Sequence, residues 1–413
     1  MKRLSRYYIL LMMVMAGALL FPACIYEFSI EELEIEGLSE EMVVIEGDIL
    51  AGDYSKIRVY TSIPLDGDPV ATHISGAKVW VEDDGGVKLN AVVNWVNGTP
   101  GTSHLATPEY MVNTTALDFD KKYKLCVDIP GRGLYETNYQ SVTVTPQIDS
   151  ITFSINADST SLVLEVTTHN DAVEPLYCKW TYESDWEIQA FYRPAVHYTP
   201  ALKVYELTPE EVAVREYCWG SEVSKDIYLA DSEDLSKNVL YKQRLNSIGY
   251  TDKKLDYLYS ILVSQVALTE EGYTYWNNMK KNSSDLGGLF APQPNEVRGN
   301  IYSTTRPEEA VLGYVAVTTK ATLRKYITSR EAKIYDKDPL RECTIPLEYK
   351  YSSDPEQDQW GPAYSSGMLP IYYVYNDKGQ PILNAAYWCP GFCSDCRFLG
   401  SKNKPSYWPN DHE

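Results

Sequence analysis

Histidine is scarce in this 413-residue chain: His73, His104, His169, His197 and His412 stand far apart, with no H-E-x-x-H and no close pair of the kind that holds zinc. No G-x-S-x-G elbow, phosphate-binding P-loop or dinucleotide fingerprint occurs either. The usual seats of hydrolytic, phosphoryl-transfer and hydride chemistry are therefore missing, and neither a cofactor, a metal nor an enzymatic activity is expected. Positive charge is also in deficit, since 37 Lys and Arg face 57 Asp and Glu for a net charge of −20. That balance argues against nucleic acid or anionic lipid as a direct partner. Beyond the N-terminus no apolar run approaches the ~20 residues of a membrane-spanning helix.

What is present begins with Lys2, Arg3 and Arg6, an apolar run from Tyr7 to Leu20, and the break Phe21-Pro22-Ala23-Cys24. A basic start, a short apolar stretch and a small residue before the break make the layout of a secretory signal, assigned to residues 1–23. A cysteine directly after that residue resembles a bacterial lipobox, although Phe21 stands where Leu or Val is usual. Cys24 is therefore the expected lipidation site, and the two or three acyl chains of a bacterial lipoprotein give a stable anchor. Removing the three N-terminal cations takes the charge from −20 to −23. Residues 24–41, "CIYEFSIEELEIEGLSEE", read as an acidic tether. The membrane is expected to be met through the lipid alone.

Export decides the meaning of "WCPGFCSDCR" at 388–397, whose spacing fits an iron–sulfur triplet, a zinc knuckle or part of a disulfide framework. Exported cysteines mature in an oxidising compartment and pair with one another, so disulfides are the expected reading. Without Cys24 seven cysteines remain, an odd number. Cys126 stands alone in the first half and is expected to be unpaired. Cys178, Cys218, Cys343, Cys389, Cys393 and Cys396 are the candidate bridge cysteines, stapling long loops in any of 15 connectivities.

The chain holds 34 tyrosines and 9 tryptophans against 8 phenylalanines, a usage suited to half-buried sheet faces and wet recognition surfaces. From Met42 to Pro146 it reads as short alternating segments divided by turn signals. In "GAKVWVEDDGG", Val79 and Val81 share one face and Asp84-Gly85 makes the hairpin turn, while "PGRG" at 130–133 turns the next pair. The expected fold is mainly β: an immunoglobulin-like or prealbumin-like sandwich over 42–147, then a larger β-rich domain over 148–413 with a few short helices and a disulfide-stapled tail. "LYCKWTYESDWEI" puts Cys178, Trp180 and Tyr182 on one strand face, with the cysteine placed to bridge. "LTPEEVAVREY" and "LTEEGYTYWNNMKK" carry helix-start signals at a Thr followed by acids. The tail from Ser352 reads as long loop. "DSEDLSKN" at 231–238 and "DDGG" at 83–86 read as turns before calcium loops. Trp180, Trp186, Tyr192 and Trp219 are the candidate binding aromatics for a glycan or peptide ligand, against the default of core packing.

The succession "EGDI", "GAKVWVEDDGG", "YKLCVDIPG", "PQIDSI", "YCKWTYESDWEI", "YCWG", "LTEEGYTYWNNMKKN", "PQPNEVRGNI", "EEAVLGYVAV" and "CSDCRFLGSKNKPSYW" resembles a family of Bacteroidota lipoproteins known as domain of unknown function 4249. The resemblance spans nearly the whole chain after Cys24 and is most specific at Cys393 to Trp408. It implies an outer-membrane lipoprotein facing the cell exterior, a non-catalytic accessory or ligand-binding partner of a TonB-dependent nutrient transporter. The competing expectation is a structural or assembly protein that binds other envelope proteins through strand edges. Behind both stands a hydrolase built on carboxylates that the sequence does not single out.

Overall fold

Alternation of β-branched and aromatic residues with polar ones builds most of this molecule, because side chains of a strand point alternately to opposite faces. The structure, a computed structural model, describes residues 42–62, 72–96, 106–201, 203–250, 252–284, 298–333, 343 and 345–409. The expected signal segment, Cys24 and the expected tether, residues 1–41, lie outside the described residues.

The first part forms β1 (Val43–Glu46), β2 (Ile49–Leu50), β3 (Tyr54–Thr61), β4 (Thr72–His73), β5 (Lys78–Asp83), β6 (Lys88–Asn90), β7 (Val92–Val96), β8 (Thr107–Asn113), β9 (Lys122–Ile129), β10 (Gly133–Thr137) and β11 (Gln140–Ser141). In β3, Ile57 and Val59 point inward between outward Lys56 and Arg58. In β5, Val79 and Val81 do the same, and the chain turns at Asp84-Gly85, where the Asp83 carboxylate accepts from the amides of Gly85 and Val87. The order β1-β3-β8-β7 gives one sheet and β10-β9-β5-β6 a second. Their facing side chains, among them Ile45, Ile57, Val59, Val81, Tyr110, Leu125 and Val127, make one core. Each such side chain contributes roughly 1.5–3 kcal/mol when fully buried.

The second part holds β12 (Ile148–Ile155), β13 (Ser161–His169), β14 (Tyr177–Gln189), β15 (Val196–Thr199), β16 (Lys203–Glu206), the helix Pro209–Glu216, β17 (Tyr217–Val223), β18 (Tyr228–Asp231), β19 (Val239–Gly249), β20 (Leu258–Leu268) and the helix Glu270–Ser284. Both helices begin as the sequence predicts. Thr208 and Glu211 form a reciprocal capping box, and Thr269 accepts from the amide of Gly272. The sheets β12-β13-β19 and β17-β14-β20 enclose a core around Leu162, Leu164, Trp180, Tyr259, Ile261 and Val263.

The chain then returns to the first sandwich, a step that a division at 147/148 misses. β21 (Ile301–Ser303) pairs with β10, β22 (Val311–Leu312) lies parallel to β1, and β23 (Val317–Thr318) lies parallel to β2. Glycine makes the return possible: Gly313 has φ +124°, and an added Cβ would lie 2.0 Å from the Ile45 carbonyl oxygen. β24 (Lys320–Thr328) then joins β20. The junction is held by buried polar groups. Gln265 accepts from Trp180 Nε1 at 2.7 Å and donates to the Pro146 carbonyl at 2.8 Å, and Thr318 donates to the Ala267 carbonyl at 3.0 Å.

The tail is a small sheet and not the expected loop. β25 (Leu347–Lys350), β26 (Met368–Tyr375) and β27 (Pro381–Pro390) pair in the order β25-β27-β26. Tyr198, Trp360 and Trp388 pack beneath them with the short helix Trp360–Ser365, so large rings supply the core that a Pro- and Gly-rich composition obscured.

Two disulfides fasten this tail: Cys218 to Cys396, with Cα atoms 5.5 Å apart, and Cys343 to Cys393, at 5.6 Å. Cys126 is unpaired, as expected, but so are Cys178 and Cys389, both candidates for bridging. Cys178 points inward as the alternation requires, yet its neighbours across β18 and β20 are Ala230 and Ala267, so no sulfur lies opposite. Cys389 stands opposite Leu369 beside a Cys343 and Cys393 that bond to each other.

Candidate functional site

The helix Glu270–Ser284 sits on the seam between the two β-rich parts. Its inner face carries Tyr275, which packs with Tyr314 and Ala316 of the returning segment, Leu50 of β2, and Val266 and Leu268 of β20. Gly272 admits this packing, since a Cβ there would stand 2.8 Å from the Tyr314 ring. Four separate stretches of chain are then tied by charge. The Asp48 carboxylate accepts from the Ala316 amide at 3.0 Å and meets the Lys179 ammonium at 3.3 Å, and that ammonium lies 4.1 Å from the centre of the Trp276 ring.

Along this seam opens a cleft of about 620 Å³ lined by Glu270, Glu271, Thr274, Tyr275, Asn278, Arg298 and Tyr314. The two tyrosines form its aromatic floor, stacked at 5.5 Å between ring centres and 30° between planes. Burial pushes both phenols up, so the floor stays uncharged. Tyr314 is fixed by its 3.1 Å hydroxyl contact to Thr269. Glu270 and Glu271 occupy the first turn of the helix, where a negative charge complements the unpaired amides.

Carboxylate and amide oxygens, an amide NH₂, a guanidinium and a hydroxyl thus line a cleft backed by two tyrosines that are themselves buried, a set of polar groups able to orient a polar ligand. Nearby in the first sandwich, Tyr60 hydrogen-bonds Glu46, and its ring lies 5.6 Å from that of His73. Burial and the Arg58 charge hold His73 below the usual histidine range, which favours its neutral form.

The four candidate aromatics do not come together as a platform. Trp180 is fully buried in the second core, its N–H spent on Gln265. Trp186 lies over Gly220, whose Cβ would meet its ring at 2.3 Å, with the Lys254 ammonium at 5.0 Å on the ring. Tyr192 packs beside Ile371 and Cys389 in the tail core, edge-on to Phe191. Trp219 is buried beside the backbone bridge that β17 makes to Ser401. Core packing holds Trp180 and Trp219, while Trp186 and Tyr192 are partly buried against separate clusters.

What the sequence missed was the cleft. Its residues come from a helix, from Arg298 and from Tyr314, which only the chain's return brings together, and the single local signal was the acidic, Tyr-rich start of "LTEEGYTYWNN". Among the described residues no group of three or more His, Cys, Asp or Glu is placed to hold a metal ion. The segments 83–86 and 231–238 contain the turns expected of them.

No curated protein matches the sequence. Among solved structures the chain is similar to a "Biofilm associated protein - BSP domain" at 8% identity, covering 85% of this chain and 76% of that one, with a TM-score of 0.15 that carries no argument about fold. The family described as Domain of unknown function (DUF4249) matches residues 26–324, a span that contains every residue of the cleft and stops short of the stapled tail. This chain belongs to the DUF4249 family.

Proposed function

We propose that this protein is a lipid-anchored outer-membrane protein facing the cell exterior, a non-catalytic ligand-binding accessory of a TonB-dependent nutrient transporter. The observation that supports it most directly is the 620 Å³ cleft, with its stacked tyrosine floor and converging polar groups, at a seam between two β-rich parts. Anchoring rests on Cys24 behind a basic and apolar leader, and the transporter partner rests on the family resemblance. The chemistry of the lining suits a glycan or a peptide, since both offer hydroxyl or amide groups together with a flat apolar face.

The test is a melting-shift screen of the purified protein against a neutral oligosaccharide library and a peptide library. A ligand at about 100 times its Kd should add roughly 2.7 kcal/mol of stability. Glu271→Gln and Asn278→Ala, both at exposed positions, should remove that shift while leaving the unliganded melt in place. No shift from either library, or a shift that persists in both variants, counts against the proposal.

One observation favours a second reading, an envelope assembly protein that binds other proteins by strand pairing: β7 is an apolar edge strand with all five residues exposed.

A further inference from the structure

Among the described residues β7 ends its sheet and pairs with β8 alone. Its sequence, Val92-Val93-Asn94-Trp95-Val96, contains no charge and no proline in a chain of net charge −20, and it projects Val92 at 73% and Trp95 at 56% exposure. Natural sheets usually blunt such an edge with lysine, proline or a bulge, because its free N–H and C=O groups accept another strand.

The faces of this strand can be assigned. Val93 stands opposite Tyr110, whose hydroxyl reaches inward to Ile74 and Ala77, so Val93 and Trp95 share the inner side while Val92, Asn94 and Val96 share the outer side. Beside Val93 opens a groove of about 430 Å³, lined also by Val79, Trp80, Tyr110 and the two lysines Lys78 and Lys88, cations that can face an aromatic ring. Trp95 of the same chain is not part of its lining. An exposed ring and an open groove thus lie on the same side of one short edge.

We infer that two copies of this chain join edge to edge, β7 against β7, antiparallel about a two-fold axis through Asn94. That register sets Val92 opposite Val96 of the partner copy, Val93 opposite Trp95 of the partner copy, and Asn94 opposite itself. Directly opposed residues share a face with Cβ atoms about 4.5–5.5 Å apart. Each Trp95 therefore stands at the mouth of the other copy's groove, and the contact is made twice. Cross-strand pairs of aromatic and β-branched residues are among the favourable ones, and no like charges meet. The arrangement is isologous, so it closes at two copies and removes the open edge from both. A foreign strand would also satisfy the backbone groups, but only a second copy carries the matching tryptophan by construction.

The register makes the test specific. Antiparallel neighbours have Cα atoms about 4.5–5.5 Å apart, within disulfide reach. In the anchored chain, in its native membrane under mild oxidation, Asn94→Cys should form a covalent dimer of twice the mass of the mature protein. Val92→Cys alone should remain monomeric, whereas Val92→Cys with Val96→Cys should dimerise again. Trp95→Ala should reduce the Asn94→Cys yield about tenfold. The unsubstituted chain is the blank, because its free described cysteines, Cys126, Cys178 and Cys389, are buried. Absence of the Asn94→Cys dimer, equal yields from Asn94→Cys and Val92→Cys, or linkage to a different protein would each overturn the inference.

Discussion

Asp48→Ala should loosen the seam that forms the cleft, and its cost can be worked out from two contacts. The Asp48 and Lys179 side chains keep only 15% and 13% exposure, so removing the carboxylate leaves an ammonium that water barely reaches. Breaking a buried pair from one side costs about 3–5 kcal/mol, and the remaining exposure, with the Trp276 ring still under the cation, lowers that to about 2–3 kcal/mol. The Ala316 amide also loses its acceptor, which adds about 1–3 kcal/mol. The sum is about 4 kcal/mol, or a fall in Tm of about 5 °C for a 413-residue chain unfolding as one unit. Asp48→Asn keeps an oxygen for the Ala316 amide and should cost about 2 kcal/mol. Adding Lys179→Met to Asp48→Asn removes both charges and should return stability to within about 1 kcal/mol of the unsubstituted chain. Equilibrium urea denaturation followed by circular dichroism measures all three. If Asp48→Ala stays within about 0.5 kcal/mol of the parent, or the two substitutions prove additive, the seam is not held by this contact.

The imidazole of His169 lies 2.8 Å from the Asp149 carboxylate, a contact that raises its pKa above the unfolded value. Its stabilising share is therefore fully present below about pH 6 and lost as pH rises through the folded pKa, so the stability difference between the parent and His169→Gln should shrink on that side in a pH series of urea melts. Gly313→Ala forces a left-handed φ and a clash with the Ile45 carbonyl, and should cost at least about 3 kcal/mol in the same assay, because backbone on both sides cannot yield. Burial pushes the thiols of Cys126 and Cys178 up to about 12 and that of Cys389 up to about 11. At mildly alkaline pH none should react with a thiol reagent in the native protein, while denaturation without reductant should expose these three and a fourth only if Cys24 is not acylated.

Local chemistry was legible in the sequence wherever a few neighbouring residues decide it. The Asp84-Gly85 hairpin, the Thr208 capping box, the alternation of β14 and the isolation of Cys126 all belong to this kind. Pairings between distant segments were not. Nothing in "EAVLGYVAV" says that β22 will lie against β1, because periodicity names a strand without naming its partner. The same limit misplaced Cys178 and Cys389: alternation turns a cysteine inward, but only tertiary geometry brings a second sulfur within reach. In the tail, Pro and Gly suggested loop where the rings of Trp360 and Trp388 organise a sheet. The candidate aromatics failed for a related reason, since a tryptophan on an alternating strand serves a core as readily as a ligand. Glu271, Arg298 and Tyr314 are brought into one cleft only by the chain's return to its first sandwich.

The most direct test of the proposed role is to extract the protein from native outer membranes in mild detergent and identify by mass spectrometry what accompanies it. A TonB-dependent transporter recovered in stoichiometric amount is the expected result. Recovery of the acylated protein with no transporter would contradict the accessory role.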